Sequence, residues 1–446
     1  MAGSSTNRAG RLLLGDRFLL ALALLCCLSA PVHAGSFNSR IVGYFVQWGI
    51  YARDYEPADI PAQSLTHINY AFMAVNAETG QISSYDAWAD LQKVFAAKNG
   101  LPAQTWDQSA ANLAGNFGRL RDLKALHSHL KVLLSVGGWT LSGPFPTVAA
   151  DAAKRQAFAA SAADWVSGQG FDGIDIDWEY PSLADRDNFS ALIKATRQAL
   201  DAKGLADGKT YLLTVAAPAG PSNMAVWDLA RLAPSLDWFN IMTYDYHGGW
   251  DATTGHLAPL YENPADPAAD RATWNADWAV QAYLAGGVPA QKIHLGIPFY
   301  GRSWEAVPAT DNGLFQSGQA GPNLGVAGNW ENGVLDYWKA MDIARDGNHA
   351  VNFDAAARAS FIYGANLSSG LASGGLFVTF ENTASLSEKL ALAKTLGLGG
   401  VMFWELSGDV RDVTDADSLL GLMARTFTTD DAAMSMPWLM LLLDES

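Results

Sequence analysis

The chain has 446 residues, with 45 Asp and Glu against 29 Lys and Arg, and a formal net charge of −16. That acidic balance argues against nucleic acid and anionic membranes as partners and leaves a neutral substrate open. The length allows two or three domains, and the sequence has neither Cys-based zinc spacings nor a His cluster, so it implies no metal and no cofactor.

The first element is an export signal. Arg8, Arg11 and Arg17 come before or at the start of an apolar run, Phe18 to Ala30, and Val32-His33-Ala34 ends in a small residue. This order predicts a signal over residues 1–34, cleaved near Ala34, with an apolar run too short for a comfortable membrane span. Cys26 and Cys27 both lie inside it. The mature chain is therefore expected to be secreted, extracellular or periplasmic, monomeric, and free of thiols and disulfides. Losing three Arg and one Asp would bring its charge to −16 − 2 = −18.

Eight β-rich runs follow, at 40–48, 65–75, 131–139, 170–180, 210–218, 236–246, 292–302 and 399–407. Helical patterns separate several of them. Phe189, Leu192, Ile193, Ala199 and Leu200 mark one helix face after the fourth run. Ser385 to Glu388 has capping-box spacing ahead of the eighth. Near-continuous apolar strands alternating with helices predict a parallel sheet covered on both faces, and eight such units close into a (β/α)₈ TIM barrel of the α/β class. Two stretches exceed the repeat. Residues 76–117 form a long loop carrying Trp88 and Trp106, and residues 305–375 read as a small α+β insertion. The barrel would thus occupy 36–304 and 376–426, followed by a 427–446 tail whose MPWLMLLL is too short to span a membrane.

The fourth run, FDGIDIDWEY, places Asp172, Asp175, Asp177 and Glu179 within a strand. A period of two puts Asp175, Asp177 and Glu179 on the interior face, about 6.6 Å apart, and Ile174, Ile176 and Trp178 toward the helices. Glu179 stands at the C-terminal mouth, where barrel enzymes hold their chemistry. Asp172 lies on the other face and reads as structural. Unpaired buried carboxyls must share protons, and perturbed carboxyls are typical of catalytic acids. An ordinary glycosidase needs two carboxylates across the scissile bond, and Asp245 and Glu405, at the ends of the sixth and eighth runs, leave such a pair open. A stacked Asp-x-Glu suits another arrangement. There Glu179 protonates the leaving oxygen, and Asp177 holds the N–H of a 2-acetamido group whose carbonyl oxygen attacks the anomeric carbon.

Four motifs now coincide. They are Asp172-Gly-Ile-Asp175-Ile-Asp177-Trp-Glu179 followed by Tyr180-Pro181, Ser135-Val-Gly137-Gly138-Trp139, Met242-Thr-Tyr244-Asp245, and Trp404-Glu405. On these residues the chain resembles the family 18 glycoside hydrolases, the chitinases, over residues 40–425. The resemblance implies Glu179 as general acid and then base, and Asp177 as a residue turning between Asp175 and Glu179. It implies Tyr44 and Ser135 as supports of Asp175, and Tyr244 as the hydroxyl that aims the acetamido carbonyl. Trp404 would floor the subsite before the cut and Trp139 would stack on the leaving side. Phe72, Gly138, Met242, Asp245, Tyr300 and Arg302 would complete the substrate groove. Chitin and chitooligosaccharides are the implied partners. One departure stands out: Phe380-Glu381-Asn382-Thr383 replaces the family's frequent Tyr-Asp-Asp-Pro, with Ser385 and Lys389 kept. The alternatives are a chitinase-like lectin on the same barrel, an endo-β-N-acetylglucosaminidase acting on N-glycans, and an ordinary two-carboxylate glycosidase.

Overall fold

The computed structural model describes residues 38–324, 331–366 and 374–428. The expected signal at 1–34 and most of the 427–446 tail lie outside the described residues. The barrel strands begin with β1 (Arg40–Val46) and β2 (His67–Val75); a short strand β3 (Ile82–Ser84) pairs antiparallel with β2. The barrel continues through β4 (Lys131–Gly137), β5 (Gly173–Asp177), β6 (Leu212–Ala217), β7 (Trp238–Ile241) and β8 (Ile293–Pro298). A second sheet follows: β9 (Tyr300–Val307), β10 (Gln319–Ala320), β11 (Val334–Asp336), β12 (His349–Asp354), β13 (Ala359–Ala365) and β14 (Gly375–Phe380). The last barrel strand is β15 (Gly400–Trp404). The parallel order β1-β15-β8-β7-β6-β5-β4-β2 closes through β1–β2 pairing, which makes the expected (β/α)₈ barrel.

The period-two reading of β5 holds. Ile174 and Ile176 face the helix layer and are at most 1% exposed, while Trp178 stacks on Phe145 at 5.2 Å. Asp172 sits outside the barrel, where its Oδ2 accepts from the Val132 N–H at 2.8 Å and pairs with Lys124. The covering helices stop where their sequences dictate. Asp151 caps Ala152–Gln169 by accepting from the Ala153 and Lys154 N–H groups, and Gly170 ends it in the left-handed region. Arg186–Asp207 carries the predicted apolar face and ends at left-handed Gly208.

Some boundaries differ from the sequence reading. The run 292–302 is two strands, not one: the chain leaves the barrel after Pro298 and begins the second sheet at Tyr300. Phe299 bridges them, its N–H donating to Trp404 O at 2.7 Å and its carbonyl accepting from Tyr337 N–H at 3.0 Å. The second sheet therefore starts before 305 and, through β14, extends past 375, because β9 and β14 pair antiparallel along most of their length. The helix before β15, Thr383–Thr395, is capped by Asn382 with Ser385 as the third residue of the capping box. Asn382 is preferred because its Oδ1 reaches both the Ala384 and Ser385 N–H groups, and Glu388 instead faces Arg358 at 3.4 Å.

Candidate active site

Strand register assembles the lower part of the site. Ser135 of β4 and Thr214 of β6 lie beside Asp175. Asp175 is fully buried and accepts four hydrogen bonds. Tyr44 Oη (2.7 Å) and Ser135 Oγ (2.8 Å) donate to Oδ2, and Thr214 Oγ1 (2.6 Å) and Asn240 Nδ2 (3.3 Å) donate to Oδ1. Burial pushes this carboxyl up and the four donors pull it back, leaving it raised.

Asp177, one step up the strand, is 4% exposed and has no such set of donors. Burial, then the charges of Glu179 and Asp175, push its carboxyl well above the usual range. Its Oδ1 is buried without a hydrogen-bond partner, an arrangement that is expensive unless something else fills it.

Glu179 lies just past the strand end. Its N–H donates to Ser142 Oγ at 2.9 Å, and Ser142 donates to the Gly138 carbonyl at 2.9 Å. Burial, with Asp245 adding repulsion, raises the Glu179 carboxyl to about 7; hydrogen bonds from the Tyr180 side chain and the Trp139 backbone oppose the rise. It can thus hold a proton near neutrality and release it, as an acid–base catalyst must.

A cleft of about 770 Å³ opens above the ladder, lined by Asp177, Glu179 and a band of aromatic rings. Trp404 lines it, stacked on Phe72 at 5.6 Å and 17° and tilted against Tyr44 at 5.4 Å. Trp139, 76% exposed, stands at the rim. Met242 and Tyr244 form part of the wall, and the Tyr244 hydroxyl is directed at Met402 Sδ at 3.8 Å, a weak acceptor. Asp245 accepts from Arg302 Nε at 2.6 Å and is hydrogen-bonded by the Tyr300 side chain.

Two of the expected residues do not line the cleft. Ser135 is fully buried on Asp175. Gly138 donates its N–H to the Asp177 carbonyl at 2.7 Å; its φ of +82° and the Phe72 ring, 2.5 Å from where a Cβ would stand, account for a glycine there. Glu405, the open alternative as second carboxylate, is occupied: its Oε1 lies 3.3 Å from Arg53 Nη1 and its side chain caps the turn at Ser407. Among the described residues, no three His, Cys, Asp or Glu side chains group to hold a metal ion.

Several site residues were not singled out from the sequence. Thr214 and Asn240 could have been found as polar residues on the inward parity of apolar strands. Trp48, at the end of the first run, and Trp250, shortly after the sixth, both line the cleft, and that position was their signal. Arg53 and Asp336 carry no local signal.

The sequence model for Glycosyl hydrolases family 18 matches residues 40–409. Chitinase 1 of Aphanocladium album is 40% identical over 93% of this chain and 93% of its own length. Chitinase A1 of Niallia circulans is 37% identical over 88% of this chain, which spans 61% of that relative's length. Among solved structures, the catalytic domain of psychrophilic chitinase B from Arthrobacter TAD20 superimposes with a TM-score of 0.77 at 33% identity, covering 89% of this chain and 97% of that one.

Proposed function

Because the chain belongs to the glycosyl hydrolases of family 18, we propose that it is a secreted chitinase, hydrolysing β-1,4 bonds between N-acetylglucosamine units with retention of anomeric configuration. Glu179 protonates the leaving oxygen. The substrate's acetamido oxygen attacks the anomeric carbon, forming an oxazolinium ion in the substrate, and the same Glu179, now a carboxylate, activates the water that opens it. Asp177 accepts the acetamido N–H, and Tyr244 donates its hydroxyl to the acetamido oxygen and aims it. Substrate-assisted chemistry is recognised for this family.

The observation that carries this reading is the bare Oδ1 of Asp177, buried beneath Glu179 with no partner. A neutral acetamido N–H is the complement such an atom lacks. Asp175, held by four donors, is equipped to stay ionised when Asp177 turns toward the substrate. A sugar's C–H face suits the Trp404 floor. The names of the relatives support chitin as the polymer, and the basic–apolar–small order of residues 1–34 supports export.

The test pairs two substrates. Chitin oligomers should be cut to β-anomeric products, and the same oligomers with glucose at the position before the cut should bind without turnover. Inverted product, or efficient cleavage of the glucose analogue, would return the reading to a carboxylate pair.

A further inference from the structure

The long connection after β7 carries Asp245 and Trp250 along the cleft, and it contains a buried ion cluster that the reaction above does not use. His247, 7% exposed, lies between two carboxylates. Its Nδ1 is 3.1 Å from Asp251 Oδ2 and its Nε2 is 3.3 Å from Asp266 Oδ2. With both ring nitrogens facing carboxylates, the doubly protonated ring, an imidazolium, is the form that satisfies both. Trp274 packs edge-on against it at 5.7 Å, and Gly255 leaves the ring its room, since a Cβ there would stand 2.5 Å from it.

The cluster reaches the cleft through one short path. The Asp251 oxygen that faces His247 also accepts the Gly248 N–H at 3.2 Å. Gly248 has no side chain because the Trp250 ring and the Arg302 stem fill the space: a Cβ there would lie 2.5 Å from one and 2.7 Å from the other. Arg302 lies over the Trp250 ring at 4.4 Å and donates to Asp245 at 2.6 Å. From the far side, Trp304 Nε1 of β9 donates to the Asp251 carbonyl at 2.9 Å.

From this geometry we infer that His247 is a positioning residue: its charge, clamped by Asp251 and Asp266, holds the Gly248–Trp250 turn in place, so that Trp250, Arg302 and Asp245 meet the sugar chain preformed. The inference rests on the reading that the cleft takes such a chain. The facing charges are few. Asp251 and Asp266 raise the ring's proton affinity to about 9 against the opposing effect of burial, and His256, paired with Asp354, also acts on Asp266. The folded value lies above the ordinary one, so the clamp is complete below about 6.5 and is lost as pH climbs through about 9.

The experiment compares wild type with His247→Gln and Asp266→Asn. On chitin oligomers, KM should rise about ten-fold while kcat stays within about two-fold, the signature of lost binding shared by ground and transition states. Wild-type KM should climb toward the variant value as pH passes 9, and His247→Gln should not respond there. Amide exchange over residues 247–251 should be faster in both variants. Unchanged KM with unchanged exchange overturns the inference, and so does a fall in kcat at constant KM. Exchange reads the clamp without substrate, so an inactive wild type would count against the chitinase reading and not against the clamp.

Discussion

Arg53 and Glu405, 352 positions apart in the chain, are joined at the cleft wall, Nη1 to Oε1 at 3.3 Å, with Asp336 of the second sheet on the same guanidinium at 2.8 Å. A carboxylate committed to a partly buried arginine and to capping its own turn is poorly placed to serve as a nucleophile. Glu405→Gln should therefore retain most turnover on chitin oligomers. Its effect should fall on stability, because Arg53 keeps Asp336 but loses one of two counter-charges, and breaking buried pairs is destabilising by up to about 3–5 kcal/mol. Denaturant midpoints and initial rates on the same preparation separate the two effects.

Glu179→Gln should behave in the opposite way, with an unchanged melting profile and a loss of about 10²–10⁴ in kcat. In wild type the acid must be protonated to act, and its carboxyl sits at about 7. The rate should hold below that value and fall as pH rises through it. A pH–rate profile flat from 6 to 9, roughly the range over which such a group would titrate, would remove Glu179 from the acid role.

Asp177→Asn keeps the shape of the ladder but removes one of two carboxyls that share protons with each other. Its rate should drop although Glu179 remains, and the profile should lose the two-step character of a coupled pair. A stable thiazoline analogue of the cyclic ion should compete with substrate in the wild type, since intermediate mimics bind more tightly than substrate.

Tyr44→Phe removes one of the four donors that favour the ionised form of Asp175. The carboxyl already lies above its ordinary value, and losing a donor moves it higher. The acid limb of the rate profile should shift to higher pH. A limb unmoved by Tyr44→Phe would mean that Asp175 does not govern it.

Export can be checked on the protein itself. Terminal sequencing should find a mature chain beginning at Gly35, unreactive to thiol dyes because Cys26 and Cys27 have left with the signal. A dye-labelled mature chain would contradict the cleavage.

The acid ladder was legible in the sequence because strand parity is local: Asp175, Asp177 and Glu179 share a face whatever surrounds them. The same locality exposed the barrel, whose apolar runs alternate with helical patterns, and left Asp172 outside it. What lies across strands was not local. Thr214 and Asn240 reach Asp175 only because β5, β6 and β7 pair in one register, and a sequence states no register between parallel strands. Phe299 breaks a run that looks continuous, because its two backbone hydrogen bonds go to residues 105 and 38 positions away. The capping of Thr383–Thr395 turned on which of several polar residues could reach the free N–H groups. Glu405 is paired with Arg53, 352 positions earlier in the chain, and His247 meets its second carboxylate only when Asp266 folds back onto it. Residue type and spacing determined the chemistry available to this protein. Only closure of the barrel decided which carboxyl is satisfied, which is paired, and which is left waiting, because those states depend on neighbours that distant segments supply.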